Sequence, residues 1–326
     1  MNAVTIYLGS KCNMNCPYCH RQTTPDEEKG LPEAFYTKLK AMAKDGPLTV
    51  KFMGGEPTLY MDTIKKVVST VPTAHFAIAT NGVKLKEYLP FFREHDFLLC
   101  LSYDGDESDL RGFDPLTDVL DYKHLAISTT IYHGNTDFKA ILKRFRDKAE
   151  ILGRSISFFP HIVHYTSPSN EAYRLNLEDY EAILGQWKSL VMDLLTEYKQ
   201  TGNINGELVG LFIGLFGRLK AGYEFGETYC FNKHLMKVGP TGQPISCQYI
   251  RDVPLSWNNW QEEQAAMSRK VSPRCEVCSV YDMCGGGCHK SLDAGRECMF
   301  YHELYSWFKK LAAEDSAVWR LGDELR

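Results

Sequence analysis

The 326-residue chain carries 41 acidic and 37 basic side chains, a formal net charge of −4, and is 44% hydrophobic and 24% charged. That composition suits a soluble globular protein of about two domains with a sizeable core. It supplies no broad basic field for a nucleic acid, and the longest apolar run, 208–216, is too short to span a bilayer, so no membrane partner is expected. Eleven cysteines without a basic-then-apolar export segment at Met1–Ile6 argue against a disulfide framework and for metal ligation in a reducing cytoplasm.

In chain order, the apolar segment Val4–Leu8 runs into Cys12-Asn13-Met14-Asn15-Cys16-Pro17-Tyr18-Cys19. Three thiolates within eight residues can wrap one metal centre. A [4Fe-4S] cube has four irons, so three ligands leave one iron open to a small molecule, whereas a closed centre only stores or relays charge. A zinc site would want a fourth His or Cys, and His20 is the nearest at hand.

Short apolar strands are predicted near 4–9, 48–53, 75–79, 97–102, 126–131 and 156–162. Helices are predicted near 31–45, 61–71, 84–95, 115–123 and 137–152. This alternation is the pattern of β/α units around a parallel sheet, whose chemistry gathers on the loops leaving the C-terminal strand ends. The punctuation falls there: the cysteine run after the first strand, Gly54-Gly55-Glu56-Pro57 after the second, Thr80-Asn81-Gly82 after the third, and Ser102-Tyr103-Asp104-Gly105 after the fourth. Paired glycines let backbone approach a ligand, and the adjoining carboxylate can pair with an ammonium group. Asn-Gly and Asp-Gly are also common turn dipeptides. On the fifth strand Ser128 or Thr130 can face a ligand, and alternation alone does not choose between them. His161 and His164, three residues apart on an extended strand, should face opposite ways. Cys100 reads as a small buried hydrophobe, and Lys143–Arg146 as a solvated helix face.

Ser167–Asn170 breaks the pattern. A long helix with Asn176 as its N-cap is predicted next, then a buried helix over 208–216. Cys230 and Cys247 flank a predicted hairpin turning at Gly239-Pro240-Thr241-Gly242. Beyond it come Cys275, Cys278, Cys284, Cys288 and Cys298, then the apolar stripe Phe300, Leu304, Trp307, Phe308 and Leu311 of a C-terminal helix expected to pack back on the barrel. The seven late cysteines exceed one four-thiolate centre and fall one short of two.

The C-x3-C-x2-C run, with Tyr18 before its third cysteine, resembles the signature of the radical S-adenosylmethionine (SAM) superfamily. The GGEP, TNG and S-x-D-G segments resemble further motifs of that family, and the late cysteines resemble its SPASM domain. The resemblance implies an α/β fold: a partial (β/α)6 TIM-like barrel over 1–165, a helical bridge over 166–224, and a small cysteine-rich SPASM-like α+β domain over 225–326. By the same resemblance Cys12, Cys16 and Cys19 hold a [4Fe-4S] cluster with SAM at the open iron. Tyr18, Gly54, Gly55, Glu56, Thr80, Asn81, Ser102, Ser128 and Thr130 surround SAM, and Asp104 lies nearer the substrate. Cys275, Cys278, Cys284 and Cys298 would hold one auxiliary iron-sulfur cluster. Cys230, Cys247 and Cys288 would hold a second with its fourth position open or filled by a ligand the sequence does not identify; such clusters can accept an electron, and an open iron can bind substrate.

The implied activity is reductive cleavage of SAM to a 5′-deoxyadenosyl radical that takes hydrogen from an amino-acid-like carbon. A ribosomal peptide is the first expected substrate, giving a C–S or C–C bond, an epimer or a rearranged product. An isomerase acting on an amino acid carried by another molecule, such as an aminoacyl-modified DNA base, is the alternative. A non-catalytic SAM-binding electron-transfer or scaffold protein is the alternative of another class. Partners would be a flavodoxin- or ferredoxin-type electron donor and, since the first strand starts at residue 4, a separate leader-binding protein or another docking site. Sulfatase-maturating relatives place a catalytic aspartate after the second auxiliary cysteine. Gln248 stands there instead, so sulfatase-type oxidation is not expected.

Overall fold

The computed structural model describes residues 2–19, 30–105, 110, 112, 114–116, 119, 122–152, 156–224, 235–247, 250–268, 273–288 and 290–325. Cys230, Gln248 and His20 therefore lie outside the described residues. The chain forms two compact units: 1–102, 111–126 and 230–270 in the first, and 103–110, 127–229 and 271–326 in the second. These units cut across the sequence segments 1–165, 166–224 and 225–326.

The first unit alternates β1 (Asn2–Tyr7), α1 (Glu33–Lys44), β2 (Leu48–Met53), α2 (Met61–Thr70), β3 (His75–Thr80), α3 (Leu85–Glu94) and β4 (Leu98–Ser102). β1 pairs in parallel with β2, β2 with β3 and β3 with β4. Alternation assigns the two faces. Val4, Ile6, Val50, Phe52, Phe76, Ile78, Leu99 and Leu101 are buried. Phe52, Phe76 and Phe97 stack with centroids 5.2–6.4 Å apart, and Phe97 meets Phe92 of α3 at 5.0 Å. Burying those rings is the main drive for α3 to lie on this face.

The second unit contains β5 (Leu125–Ile131, most of it), α4 (Phe138–Leu152), β6 (Phe158–Ile162), α5 (Leu177–Thr201) and α6 (Val209–Ala221). β5 and β6 pair in parallel. Asn176 caps α5 as predicted: its Oδ1 accepts from Asp179 N–H at 2.8 Å, and Asp179 Oδ2 accepts from Asn176 N–H at 2.8 Å. This reciprocal pair satisfies two donors that a helix start leaves open. Gly210 lets α6 press onto β6, because a Cβ there would sit 2.1 Å from the Phe158 carbonyl oxygen.

The last third adds β7 (Leu235–Val238), β8 (Ile245–Cys247), β9 (Ile250–Pro254) and α7 (Trp260–Ser268) to the first unit. It adds α8 (Tyr281–Cys284), α9 (Ala294–Glu314) and α10 (Ala317–Glu324) to the second. The predicted turn is present, with Gly242 N–H donating to Gly239 O at 3.0 Å and Gly239 N–H to Gln243 O at 2.9 Å. Its first arm does more than pair with the second. β7 joins the parallel sheet along the free edge of β1, Thr5 opposite Lys237. The C-terminal stripe packs on α5 and α6: Phe300 meets Tyr180 and Trp187, and Phe308 meets Phe212.

Of the helix predicted near 115–123, residues 117, 118, 120 and 121 lie outside the described residues; among the others Val119 N–H donates to Leu116 O and Tyr122 N–H to Val119 O. Asp114 Oδ1 takes the Leu116 N–H at 3.0 Å, and Pro115 has none to give. Leu116, Val119 and Tyr122 are buried at every third position, a spacing that tandem turns share with a helix. No helix among the described residues is long and apolar enough to cross a membrane.

Candidate metal and cofactor centre

The C-terminal ends of β1, β2 and β3 converge on the cysteine run. Leu8 N–H donates to Met53 O at 2.9 Å, Gly55 N–H to Gly9 O at 2.8 Å, and Glu56 N–H to Lys11 O at 2.8 Å. The pairing of β1 with β2 thus continues past both strands up to Cys12. It requires the two glycines: a Cβ on Gly54 would sit 2.6 Å from Gly9 O, and one on Gly55 2.2 Å from Lys11 O. Tyr60, at the end of a 3₁₀ turn over Pro57–Tyr60, accepts the Lys11 N–H on its hydroxyl at 3.0 Å. Gly54 and Gly55 were expected to approach a ligand; here their backbone approaches the loop that carries the cysteines.

Glu56 is wholly buried. Its Oε1 accepts from Thr58 N–H at 3.0 Å, Thr58 Oγ1 at 2.7 Å and Thr80 Oγ1 at 2.8 Å, and its Oε2 accepts from Asn81 N–H at 2.8 Å. A buried carboxylate needs such donors in place of water. Asn81 in turn accepts Val83 N–H on its Oδ1 at 3.0 Å. Its Nδ2 donates to Asn13 Oδ1 at 2.8 Å and to Cys12 Sγ at 3.5 Å. Cys12 Sγ also receives Met14 N–H at 3.4 Å. Cys12, Cys16 and Cys19 are half-buried and outside any disulfide, Cys19 N–H donates to Cys16 O at 3.0 Å, and Tyr18 between them is buried.

Asp104 is buried as well. Its Oδ1 accepts from Thr130 N–H at 3.1 Å and its carbonyl from Asn135 Nδ2 at 3.1 Å, so it holds the loop after β4 to β5. Ile127, Thr129 and Ile131 are buried on one face, and Ser128 and Thr130 are both half-buried on the other. Ser102 closes β4, half-buried. His164 Nδ1 pairs with Glu297 Oε2 at 3.1 Å, and Ser291 Oγ donates to Glu297 Oε1 at 2.6 Å. His161 is exposed. Burial pushes the Cys100 thiol up, with Lys51 opposing it.

In the second unit Cys275, Cys278, Cys284, Cys288 and Cys298 line one pocket. Burial raises the Cys275 thiol, and so do Cys298 and Cys278 beside it. Burial lifts Cys284 to about 11, with Cys298 and Cys275 adding to the rise and Arg218 opposing it. Four cysteines that feel one another's charge in one pocket are the set predicted for an auxiliary cluster. Of the other predicted set, Cys247 ends β8 in the first unit and Cys288 belongs to the second. Among the described residues no three His, Cys, Asp or Glu side chains converge on a point that would hold a single metal ion. The thiolates of a cube bind different irons and need not converge.

The donor chemistry therefore fits an iron-sulfur group at both places. At the N-terminal loop there are three cysteines outside any disulfide, one already receiving two N–H groups. In the second unit there is a pocket lined by five cysteines. Sequence reasoning missed Asn13, Thr58 and Tyr60; none stands in a motif, and only the fold brings them to the cysteine loop.

Residues 6–121 match the Radical SAM superfamily. The serine-type anaerobic sulfatase-maturating enzyme of Klebsiella aerogenes aligns at 21% identity over 92% of this chain and 83% of its own length. The probable GTP 3′,8-cyclase of Methanopyrus kandleri is 35% identical over 89 residues. The chain spans only 29% of that relative's length, and 27% of this chain is involved. Among solved structures, native anSMEcpe with bound AdoMet and Cp18Cys peptide shares the fold, with a TM-score of 0.69 at 18% identity over 99% of each chain.

Proposed function

We propose that this chain, whose residues 6–121 match the Radical SAM superfamily and whose fold is that of native anSMEcpe, is a radical SAM enzyme with a SPASM-type cysteine-rich C-terminal region that abstracts hydrogen from an amino-acid-like carbon of a peptide substrate. When bound, a [4Fe-4S] cluster and SAM supply reductive cleavage to a 5′-deoxyadenosyl radical; the protein supplies orientation and protection. The observation that carries this reading is the cysteine loop, closed against the GGE backbone and tied through Asn81 to the TNG turn.

In this reading Cys12, Cys16 and Cys19 hold the cluster. Glu56 keeps its sequence-based assignment to the ammonium group of SAM; its Oε1 accepts three donors of its own chain and its Oε2 accepts Asn81 N–H. Ser102, Ser128 and Thr130 keep their sequence-based assignment as SAM contacts, and Tyr18 anchors the loop between its cysteines. Asp104, committed to Thr130 N–H, is a positioning residue. Cys275, Cys278, Cys284 and Cys298 hold an auxiliary cluster. Cys230, Cys247 and Cys288 are assigned a second on sequence spacing alone. The peptide class is supported by the neighbour with its Cp18Cys peptide and by the sulfatase-maturating relative. Gln248, where those enzymes carry an aspartate, argues for a different outcome on the peptide. An external one-electron donor of flavodoxin or ferredoxin type completes the reaction.

The test uses α-deuterated peptides encoded beside its gene, incubated with reduced, reconstituted enzyme and SAM. Deuterium should appear in 5′-deoxyadenosine and the peptide should change mass or stereochemistry. Release of 5′-deoxyadenosine without deuterium from any such peptide would overturn the peptide reading and leave SAM cleavage standing. A sulfatase-type cysteine peptide should yield no formylglycine; its formation would refute the inference from Gln248.

A further inference from the structure

We propose that Asn81 tunes the N-terminal cluster by donating its side-chain N–H to the Cys12 thiolate, and that Glu56 is the buried residue that fixes Asn81 for this task. The proposal rests on the reading that Cys12, Cys16 and Cys19 hold an iron-sulfur cluster.

The orientation of the Asn81 amide follows from its own hydrogen bonds. The carboxamide oxygen accepts Val83 N–H at 3.0 Å, so the NH2 end points the other way, at Asn13 Oδ1 and Cys12 Sγ. An amide turned by half a rotation would set its NH2 against the Val83 N–H and its oxygen against Asn13 Oδ1, two repulsive contacts in place of two bonds. The backbone of Asn81 is held independently, its N–H on Glu56 Oε2 at 2.8 Å. The other Glu56 oxygen takes three donors from Thr58 and Thr80, so the carboxylate has no slack with which to release Asn81. Asn81 is 7% exposed and Glu56 wholly buried, which keeps water from replacing either bond.

Two N–H groups thus reach Cys12 Sγ, from Asn81 Nδ2 at 3.5 Å and Met14 N at 3.4 Å. Hydrogen bonds to cluster sulfurs set the reduction potential. Reduction by one electron places more negative charge on the cluster and its thiolates. A donor aimed at a thiolate stabilises that charge, so it raises the potential and makes reduction easier. The NH2 group has two hydrogens, one for each acceptor, and the shorter bond, to Asn13 Oδ1 at 2.8 Å, restrains the amide at 3.5 Å from Cys12 Sγ. That restraint gives the proposal two variants with opposite signs. Asn81→Leu keeps the volume and removes the donor. Asn13→Ala removes the restraint and lets the amide close on Cys12.

The experiment is an EPR-monitored potentiometric titration of the full chain, reconstituted anaerobically, with iron counted on the same samples. The N-terminal cluster is identified as the signal that changes when SAM is added, which separates it from the auxiliary clusters. Asn81→Leu should shift that signal to a more negative potential, and Asn13→Ala to a less negative one. Asn81→Leu with full iron and an unchanged potential would overturn the proposal. Should Asn81→Leu lose its N-terminal iron, an unshifted Asn13→Ala potential would overturn it equally. A wild-type protein with no SAM-sensitive signal would instead refute the cluster reading beneath it.

Discussion

Glu56 is the residue on which the rim depends, and its environment predicts a stability cost before any chemistry. Replacing it by Ala strands four donors from Thr58, Thr80 and Asn81 in a buried place. Unsatisfied buried groups of this kind cost about 1–3 kcal/mol each before relaxation, and cooperative collapse leaves about 2–4 kcal/mol in all. Urea unfolding of the cluster-free protein should read that loss; a value within error of wild type would mean that Glu56 is not the hub described. Gly55 gives a sharper outcome. Gly55→Ala would set a Cβ 2.2 Å from Lys11 O, a backbone atom that cannot step aside without moving Cys12. The variant should fold yet bind markedly less N-terminal iron. The GGE segment was legible as chemistry because glycine pairs at strand ends are uncommon. That its glycines would face the cysteine loop was not legible, since it depends on a strand pairing that runs past β1 and β2 as far as Lys11 and Glu56.

At the scale of elements, parallel strands announce themselves by short apolar runs, and all six predicted ones are present. Near 115–123, where residues 117, 118, 120 and 121 lie outside the described residues, Leu116, Val119 and Tyr122 are buried and Asp114 Oδ1 accepts the Leu116 N–H. β7 was read only as a hairpin arm, since four residues do not reveal that they also extend the sheet beside β1. Tyr122 supplies a pH test of the segment near 115–123. Its buried hydroxyl is shared between Phe92 O at 3.0 Å and Phe97 O at 2.7 Å. Burial, with Asp96 adding and Arg93 opposing, pushes its pKa up from 10.0 to about 12. A folded value above the unfolded one contributes stability that is complete below pH 10 and is lost as pH rises toward 12. Tyr122→Phe should cost about 1 kcal/mol near neutrality and flatten the fall in stability across that alkaline window. An identical alkaline profile in the variant would show that another group controls it.

For the molecule as a whole, the cysteines carried most of what sequence could say about function. Spacing alone separated the N-terminal triplet from the late group, and the fold then gathers Cys275, Cys278, Cys284 and Cys298 around one cavity. Cys284→Ala should accordingly remove about four irons per chain while leaving SAM cleavage measurable, since the loop of Cys12, Cys16 and Cys19 belongs to the other compact unit. Iron content unchanged from wild type would detach that pocket from cluster binding. The central claim is that the loop after β1 holds an iron with a place for SAM, and the most direct measurement is 5′-deoxyadenosine released by reduced, anaerobically reconstituted protein supplied with SAM. The account predicts steady release by the wild type and none above background by Cys16→Ala; equal release by both would contradict it.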